Sequence, residues 1–315
     1  MPVMKERAGR NRTIFLSEAE KRSYLGRCFS EQTIAPNCRV VDGIVVGDCF
    51  RILPKLPAAL VDLLIVDPPY NLDKSFGTSK FKKMEPSEYE GFTRKWIDAV
   101  YHTLKPTASV YVCCDWQTSM VIGPVLGEYF MIRNRITWQR EKGRGAFSNW
   151  KNTMEDIWFA TMSNHYRFNS GAVKYRRRVM APYRVAGKPK DWVETENGNY
   201  RDTHPSNFWD DLSVPYWSMP ENTDHPTQKP EKLFAKLILA SSHPGDMILD
   251  PFAGVGTSSV VAKKLGRHFV GIEKEPEYCA LAIKRLEMAE NDPSIQGYAD
   301  NVFWERNLLA KRKSP

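Results

Sequence analysis

Short apolar runs that end abruptly in turn residues restrict the fold of this chain more than any other feature. Residues 44–46 (Ile-Val-Val) run into a Gly-Asp pair, and residues 63–66 (Leu-Leu-Ile-Val) run into Asp67 and two prolines. Runs without polar alternation are typical of strands that are buried on both faces of a parallel sheet. Apolar residues at helical spacing follow in residues 87–104. The sequence therefore predicts a doubly wound, mostly parallel α/β sheet, whose ligands lie beyond the carboxyl ends of the strands.

Further strands and helices alternate along most of the chain. Strands are predicted at residues 108–112, 131–138, 156–162, 247–249 and 269–272, and helices at residues 230–242, 257–265 and 277–289. Between about residues 168 and 222 this alternation gives way to a segment rich in Arg, Lys, Pro, Asn and aromatic residues. We therefore predict an N-terminal arm (1–40), one half of an α/β domain (41–165), an inserted region (166–222), the other half of that domain (223–290) and a C-terminal tail (291–315).

Charge and cysteine content narrow the function class. The 315 residues carry a formal net charge of +8 with a pI near 9.1, which favours a polyanionic partner such as nucleic acid. The six cysteines show neither a CxxC pair nor a histidine cluster at zinc spacing, so we expect a reducing compartment and no metal. No segment approaches the roughly 20 apolar residues of a membrane span or forms a secretory signal. We therefore expect a cytoplasmic protein without a membrane partner.

The sequence Asp67-Pro68-Pro69-Tyr70 stands at the end of the second apolar run. The exocyclic amine of a nucleobase is a poor nucleophile, because its lone pair is delocalised into the ring. A carboxylate from Asp67 and a carbonyl from Pro68, each accepting an amine hydrogen, would favour a tetrahedral nitrogen and stabilise the charge that develops during attack. The prolines fix the backbone, and Tyr70 offers a ring for stacking on an extruded base. The structural alternative is a strand break, a helix cap and a packing residue.

A second strand-end turn, residues 250–257 (Asp-Pro-Phe-Ala-Gly-Val-Gly-Thr), has the G-x-G pattern of a nucleotide-cofactor turn. Gly254 and Gly256 allow the backbone to approach a ligand closely. Glu273, after the next predicted strand, suits the two hydroxyls of a ribose. The pattern fits S-adenosylmethionine as well as NAD, and a simple tight turn also explains it. The separate Asp-Pro-Pro-Tyr motif favours the methyl donor, because a donor and an amine acceptor need two adjacent pockets.

Two shorter segments complete the predicted cofactor site. Residues 225–230 (His-Pro-Thr-Gln-Lys-Pro) precede a predicted helix. There Thr227, Lys229 and the first helical amides can hold the carboxylate of a methionine moiety. Asp48 either accepts a hydrogen bond from the adenine amine of the cofactor or caps the helix that follows it.

In this order, the segments resemble the amino-group DNA methyltransferases of the β group, in which the Asp-Pro-Pro-Tyr motif precedes the target-recognition region and the cofactor turn lies near the C-terminus. The resemblance spans residues 47–286. It implies a circularly permuted, Rossmann-like methyltransferase sheet, S-adenosylmethionine as the donor and sequence-specific double-stranded DNA as the substrate. It also implies a bacterial or phage origin, a homodimer and a companion restriction endonuclease. Residues 166–222 occupy the position of the target-recognition region.

The resemblance further implies roles for single residues. The catalytic group consists of Asp67, Pro68, Pro69 and Tyr70. The implied cofactor-binding residues are Asp48, Cys49, Asp67, His225, Thr227, Lys229, Asp250, Phe252, Ala253, Gly254, Gly256, Thr257 and Glu273. Members that act on cytosine N4 more often have serine at the position of Asp67, so the aspartate favours adenine N6, with cytosine N4 as the alternative.

Basic residues around the motifs are candidates for DNA binding. The candidates are Lys74, Lys80, Lys82, Lys83, Arg144, Asn149, Lys174, Arg176, Arg177 and Arg178. The alternative for each is a solvated basic loop. An NAD-dependent oxidoreductase is a rival class, but Ser259 replaces the third glycine of its fingerprint. A non-catalytic DNA-binding protein is another rival, but it would not need an intact Asp-Pro-Pro-Tyr motif.

Overall fold

The structure is a computed structural model that describes residues 9–140, 149–179, 183–195 and 198–305. Its strands are β1 (Phe29–Ser30), β2 (Gly43–Val46), β3 (Val61–Val66), β4 (Lys74–Phe76), β5 (Ser79–Phe81), β6 (Leu104–Cys114), β7 (Met131–Gln139), β8 (Met154–Thr161), β9 (Tyr175–Arg178), β10 (Arg184–Val185), β11 (Lys188–Pro189), β12 (Val193–Thr195), β13 (Gly198–Thr203), β14 (Phe208–Trp209), β15 (Met247–Asp250), β16 (His268–Glu273), β17 (Tyr298–Ala299) and β18 (Val302–Trp304). Its α-helices are α1 (Glu18–Leu25), α2 (Cys49–Ile52), α3 (Pro86–Tyr101), α4 (Trp116–Tyr129), α5 (Glu231–Ser241), α6 (Thr257–Lys264) and α7 (Pro276–Asn291).

A nine-stranded sheet forms the centre of the protein, in the order β1-β2-β16-β15-β3-β6-β8-β7-β14. Neighbouring strands are parallel except at β8, which runs antiparallel to β6 and β7. The chain leaves β3 toward β6 on one side, whereas β15 and β16 lie on the other side. The strand order therefore reverses between β3 and β15, where ligands bind in folds of this kind. The predicted doubly wound, mostly parallel α/β sheet is confirmed.

Successive residues of β3 alternate between two apolar layers. Leu63 and Ile65 belong to the layer that α5, α6 and α7 cover, and Leu64 and Val66 belong to the layer formed with α2, α3 and α4. None of these four side chains has exposed surface. Burial of apolar surface contributes about 25 cal/mol per Å² to the free energy of folding, and both faces of this strand bury such surface. This double burial explains why the sequence shows no polar alternation from Leu63 to Val66.

The predicted N-terminal arm packs as part of the α/β domain. Helix α1 begins with a capping box formed by Ser17 and Glu20, and it lies against α7. Tyr24 of α1 donates a hydrogen bond to Glu287 of α7 at 3.0 Å. Strand β1 extends the edge of the central sheet by pairing with β2. The domain therefore extends beyond the predicted boundary at residue 40.

A second sheet, in the order β12-β13-β9-β18-β17, contains three strands of the predicted inserted region. Strand β18, from the predicted C-terminal tail, pairs in parallel with β9. Strand β14, from the end of the inserted region, pairs with β7 of the central sheet. The predicted boundaries at residues 222 and 290 therefore do not separate structural units. Sequence periodicity does not reveal such short strands, because their pairing partners are distant in the chain.

A buried lysine joins the two sheets. Lys236 Nζ of α5 lies 2.7 Å from Asp211 Oδ1, and it faces the rings of Tyr175 and Trp209 at 5.2 and 4.7 Å from their centroids. Burial lowers the pKa of Lys236 to about 8, although Asp211 opposes the shift. Tyr175 belongs to β9 and Trp209 to β14, so this cation fixes both sheets against α5.

Candidate active site

Four neighbouring parallel strands, β2, β16, β15 and β3, end at the same edge of the central sheet. Residues that follow these ends line a cavity of about 300 Å³. The turn after β3 contributes Asp67, and the turn after β15 contributes Gly254. Because β3 and β15 are adjacent, two motifs that are far apart in the sequence open into one cavity.

Most of the predicted cofactor residues line this cavity. They are Asp48, Cys49, Asp67, His225, Thr227, Lys229, Asp250, Phe252, Ala253, Gly254, Thr257 and Glu273. Gly256 has a different surrounding. It has a φ of +71°, and a Cβ atom on it would lie 2.7 Å from Cβ of Ala282 in α7. The absence of a side chain at Gly256 therefore permits close packing on α7, and the approach to a ligand that the G-x-G pattern predicts there stays a prediction.

The carboxylate of Glu273 is held by backbone amides. Its Oε2 accepts a hydrogen bond from Gly254 N at 2.9 Å, and its Oε1 accepts one from Glu275 N at 2.7 Å. Burial raises the pKa of Glu273, whereas these amides oppose the rise. Gly254 has a φ of +53°, and a Cβ there would lie 3.2 Å from the His225 ring. A fixed carboxylate beside a turn without a side chain fits the ribose of a nucleoside cofactor.

Two aspartates of the cavity also order the backbone around them. Asp48 caps α2, since its Oδ1 accepts a hydrogen bond from Phe50 N at 3.0 Å. Asp250 accepts hydrogen bonds from Phe252 N at 3.0 Å and from Ser258 Oγ at 2.5 Å. Burial raises the pKa of Asp250 to about 7. The sequence left two roles open for Asp48, and helix capping is one of them. The capping side chain also lies in the cavity wall.

The turn after β3 is braced on two sides. Tyr89 of α3 donates a hydrogen bond to the Pro69 carbonyl at 3.0 Å. Asn71 donates to the Met84 carbonyl at 2.8 Å and accepts from Met84 N at 2.7 Å, which closes the loop between them. Proline also fixes φ at two positions of the turn. Asp67 therefore projects from a rigid backbone, as a positional role in catalysis requires.

Lys229 is the counter-ion of Asp67. Its Nζ lies 2.8 and 2.7 Å from the two Asp67 oxygens and 3.4 Å from Glu155 Oε2. Burial lowers the pKa of Lys229, but these carboxylates raise it above its ordinary value. The first helical amide, that of Glu231, donates to Glu221 at 2.8 Å. In the structure, Lys229 and the first helical amide therefore bond to carboxylates of the protein, and the buried Asp67 requires such a cation. Their predicted role at a methionine carboxylate stays a prediction.

Glu155 and Arg140 belong to the site but are absent from the predicted residues. The Tyr70 hydroxyl lies 3.1 Å from Asp67 Oδ1 and 3.0 Å from Glu155 Oε2. Arg140 Nη1 donates to Glu155 Oε1 at 2.6 Å. Because β8 runs against its neighbours, its first residues lie at the edge where the parallel strands end. The sequence feature that could have identified Glu155 is the presence of an acidic residue at the start of an apolar strand.

The hairpin formed by β4 and β5 covers one side of the cavity. Glu275, at the start of α7, accepts hydrogen bonds from Thr78 N at 3.0 Å and Thr78 Oγ1 at 2.9 Å. It also accepts one from Ser79 Oγ. Phe76 of the hairpin faces His225, with ring centroids 6.1 Å apart. Glu275 therefore fastens the hairpin over the cavity.

His225 is enclosed by neutral and positively charged groups. Its ring lies edge-on to Tyr278 with centroids 4.5 Å apart, and its Nδ1 accepts a hydrogen bond from Thr227 N at 3.3 Å. Burial lowers the pKa of His225 to about 3, and Lys229 adds to the shift. The imidazole is therefore uncharged in the cavity wall at neutral pH.

The predicted DNA-binding residues differ in exposure. Those with exposed positions are Lys80, Lys82, Lys83, Asn149, Arg177 and Arg178. Lys74 and Lys174 are half-buried, and Arg176 forms an ion pair with Asp202 at 2.6 Å. Arg144 lies outside the described residues. Exposed basic side chains occur both beside the hairpin and on β9.

The cavity combines two kinds of chemistry. Gly254 and Glu273 form a surface that fits a nucleoside cofactor, while Asp67 and Tyr70 present hydrogen-bond acceptors and an aromatic ring for a second molecule. A doubly wound sheet with a cofactor turn and an acceptor turn at adjacent strand ends defines a nucleoside-dependent group-transfer enzyme.

Comparison with known proteins identifies the family. The profile of the DNA methylase family that comprises N6 and N4 methyltransferases matches residues 61–284. The type II methyltransferase M.HpaI of Haemophilus parainfluenzae is 32% identical over 253 residues, which cover 79% of this chain and 75% of that protein. The DNA adenine methyltransferase YhdJ of Escherichia coli K12 is 33% identical over 250 residues, which cover 79% and 83%. The chain belongs to the N6/N4 DNA methylase family and is a DNA methyltransferase.

Solved structures share the fold. The M1.HpyAVI–SAM complex is similar with a TM-score of 0.53 and 25% identity, covering 77% of this chain and 98% of that one. The cytosine-N4-specific PvuII methyltransferase is similar with a TM-score of 0.59 and 17% identity, covering 77% of this chain and 85% of that one. This similarity concerns the fold alone. Within the described ranges, no helix is long and apolar enough to cross a membrane. The same ranges contain no group of three His, Cys, Asp or Glu side chains placed to hold a metal ion.

Proposed function

We propose that this enzyme transfers a methyl group from S-adenosylmethionine to the N6 amine of an adenine within a specific DNA sequence. One observation carries the proposal: Asp67 and Gly254, each from a different motif, line one cavity because β3 and β15 are neighbours. A methyl donor and an acceptor base need adjoining pockets, since the methyl group passes directly from one to the other.

The donor half of the cavity has a partner for each part of the cofactor. Glu273, oriented by the Gly254 and Glu275 amides, would hold the ribose hydroxyls. Asp48 would accept from the adenine amine, and Thr227 would bind the methionine end. S-adenosylmethionine supplies an electrophilic methyl group when bound. The protein orients the cofactor and, through the hairpin of β4 and β5, keeps water away from it.

The acceptor half binds and polarises an amine. The target base leaves the duplex, because its amine is otherwise paired, and stacks on Tyr70. Asp67 accepts a hydrogen bond from the amine and stabilises the positive charge that develops on nitrogen. The amine becomes acidic only once it is methylated, so Asp67 or water can take its proton without a strong base.

Adenine is the base favoured by the residue at position 67 and by similarity to relatives. The N4-cytosine members more often have serine there, and YhdJ is named a DNA adenine methyltransferase. Cytosine N4 remains the alternative, because its amine has the same reactivity and the family includes both activities.

DNA recognition and cellular context are parts of the same proposal. Exposed Lys82 and Lys83 beside the hairpin, and Arg177 and Arg178 on β9, are assigned to phosphate contacts with duplex DNA. The sheet that contains β9 is assigned to target recognition. A permuted motif order of the β group, a cytoplasmic location, a homodimer and a companion endonuclease are supported by the family resemblance, and the last also by the type II name of M.HpaI.

The test is a product analysis. The purified chain is incubated with mixed-sequence duplex DNA and S-adenosylmethionine, and the DNA is digested to nucleosides. We expect N6-methyldeoxyadenosine, whereas N4-methyldeoxycytidine as the sole product would contradict adenine specificity. Asp67→Ala should lose the product but keep cofactor binding in calorimetry. Asp98→Ala, at an exposed position of α3, is the matched control and should keep both.

A further inference from the structure

Asp67, the acceptor of the amine, already holds two donors. Lys229 bonds to both of its oxygens, and the Tyr70 hydroxyl lies 3.1 Å from Oδ1. A carboxylate has about four lone-pair positions, so these contacts take up most of its capacity. They also compensate the negative charge that has to stabilise the reacting amine. The two donors therefore need another acceptor when the amine arrives.

Glu155 lies within reach of both donors. Its Oε2 lies 3.0 Å from the Tyr70 hydroxyl and 3.4 Å from Lys229 Nζ. Its Oε1 accepts a hydrogen bond from Arg140 at 2.6 Å, which fixes the carboxylate. The side chain is 6% exposed, so water competes little for its oxygens. A hydroxyl has one hydrogen, so Tyr70 donates to one of the two carboxylates at a time.

We propose that Glu155 is a positioning residue for methyl transfer: it receives the Tyr70 hydroxyl and the Lys229 ammonium group while the N6 amine occupies Asp67. This inference rests on the proposed function, in which Asp67 binds that amine. The cluster contains two carboxylates and two cations, Lys229 and Arg140. The donors therefore change partners without a change in the net charge of the buried cluster.

The sign of a pH shift separates this role from simple packing. Burial raises the pKa of Asp67, Lys229 lowers it and Glu155 raises it. The methylation rate falls at acid pH when Asp67 is protonated. Removing the Glu155 charge should move this acid limb to lower pH, and removing the Lys229 charge should move it to higher pH. The other titratable or charged groups that face the cluster are Tyr70, Lys74, Tyr89, Cys113, Cys114, Arg140, His225 and Asp250.

The experiment is single-turnover methylation of a duplex, measured across pH with the cofactor bound beforehand. Glu155→Gln keeps the shape of the side chain but removes its charge. We expect its rate to fall by up to about 100-fold, because misplacement of a reacting group costs rate on this scale, with an acid limb lower by about 1 pH unit. Cofactor affinity should stay unchanged. Lys229→Met should move the limb in the opposite direction.

Glu155→Asp keeps the charge but withdraws the oxygens by one methylene. Its rate should fall while its acid limb stays in place. Asp156→Asn is the matched control, because Asp156 is a buried acid of β8 that accepts from Thr137 instead. A Glu155→Gln enzyme that binds cofactor and equals Asp156→Asn in rate and acid limb would overturn the inference. A wild-type enzyme that methylates no adenine would contradict the proposed function instead.

Discussion

Lys229 Nζ lies 2.8 and 2.7 Å from the two carboxylate oxygens of Asp67, which is 162 positions earlier in the chain. The lysine side chain is 5% exposed, and Glu155 Oε2 lies 3.4 Å from the same ammonium group. Lys229 therefore lies between two carboxylates, Asp67 after β3 and Glu155 in β8, and Arg140 pairs with Glu155 as well. Removal of Lys229 would leave the buried Asp67 without its cation and facing the Glu155 carboxylate in a site shielded from water.

Lys229→Met should lower the free energy of unfolding by about 3–5 kcal/mol near neutral pH, because it breaks a buried ion pair. Without Lys229 the pKa of Asp67 rises further, so the folded variant binds a proton more tightly than the unfolded chain does. The loss is therefore complete above the pKa of Asp67 in the folded variant and shrinks as the pH falls through it. Urea unfolding at about pH 8 and about pH 5.5 measures the size of this loss and its decrease at lower pH.

Lys263→Met is the control for this comparison. Lys263 pairs with Glu290 at 2.5 Å on the surface, where the side chains are 32% and 57% exposed. Exposed pairs contribute about 0–1 kcal/mol. Equal losses in the two variants, or a loss at Lys229 that does not depend on pH, would contradict the assignment of Lys229 as a buried counter-ion.

Glu275→Gln should weaken cofactor binding about tenfold, since hydrogen bonds to a charged acceptor contribute roughly 1.5–3 kcal/mol. The carboxylate fastens Thr78 and Ser79 of the hairpin that covers the cavity. Faster dissociation of S-adenosylmethionine in stopped-flow measurements is the expected sign. Glu277→Gln is the control, because Glu277 pairs with Lys21 at 2.8 Å. Identical dissociation rates in the two variants would show that the hairpin does not retain the cofactor.

Gly256→Ala should lose more stability than Gly266→Ala, although the two glycines have nearly equal φ values of +71° and +72°. The left-handed backbone costs an alanine about 1–2 kcal/mol at either position. Position 256 adds a Cβ contact of 2.7 Å with Ala282, whereas position 266 is open. Overpacking of this kind costs about 1–3 kcal/mol more. Thermal unfolding measures the difference, and equal losses would argue against tight packing of the turn on α7.

The buried His225 should make the fold less stable in acid. Burial lowers the pKa of His225 to about 3, whereas an unfolded histidine has a pKa of about 6.5. As the pH falls, the unfolded chain therefore takes up this proton first, which costs the fold up to about 1.4 kcal/mol per pH unit below about pH 6.5. His225→Gln should show a shallower loss of stability in a urea series across pH. His204→Gln, at an exposed position, should keep the wild-type slope.

The sheet and the two motif turns could be predicted because their signals are local. The predicted strands at residues 63–66 and 269–272 lie within β3 and β16, and the predicted helix at residues 257–265 matches α6 to within a residue. Apolar runs, glycine turns and proline turns depend on neighbours in the chain, so they identify the ends of strands without knowledge of the sheet order.

The remaining features depend on neighbours in space. Helix α4 has no counterpart among the predicted elements, because it is apolar on most sides and contains Pro124, which hides a helical period. Glu155 reaches the site only because β8 runs antiparallel. Asp67, the partner of Lys229, is brought to it by the pairing of β15 with β3. No spacing in the sequence reveals this pairing.

The pairing of β3 with β15 also determines when the enzyme becomes competent during its synthesis. The turn that carries Asp67 leaves the ribosome early, whereas Lys229 and the strand β16 that ends at Glu273 are translated much later. A nascent chain that stops before Lys229 has strands of the second sheet but neither the counter-ion of Asp67 nor the strands β15 and β16 of the cofactor wall. The two halves of the cavity are therefore completed only by residues that are synthesised late.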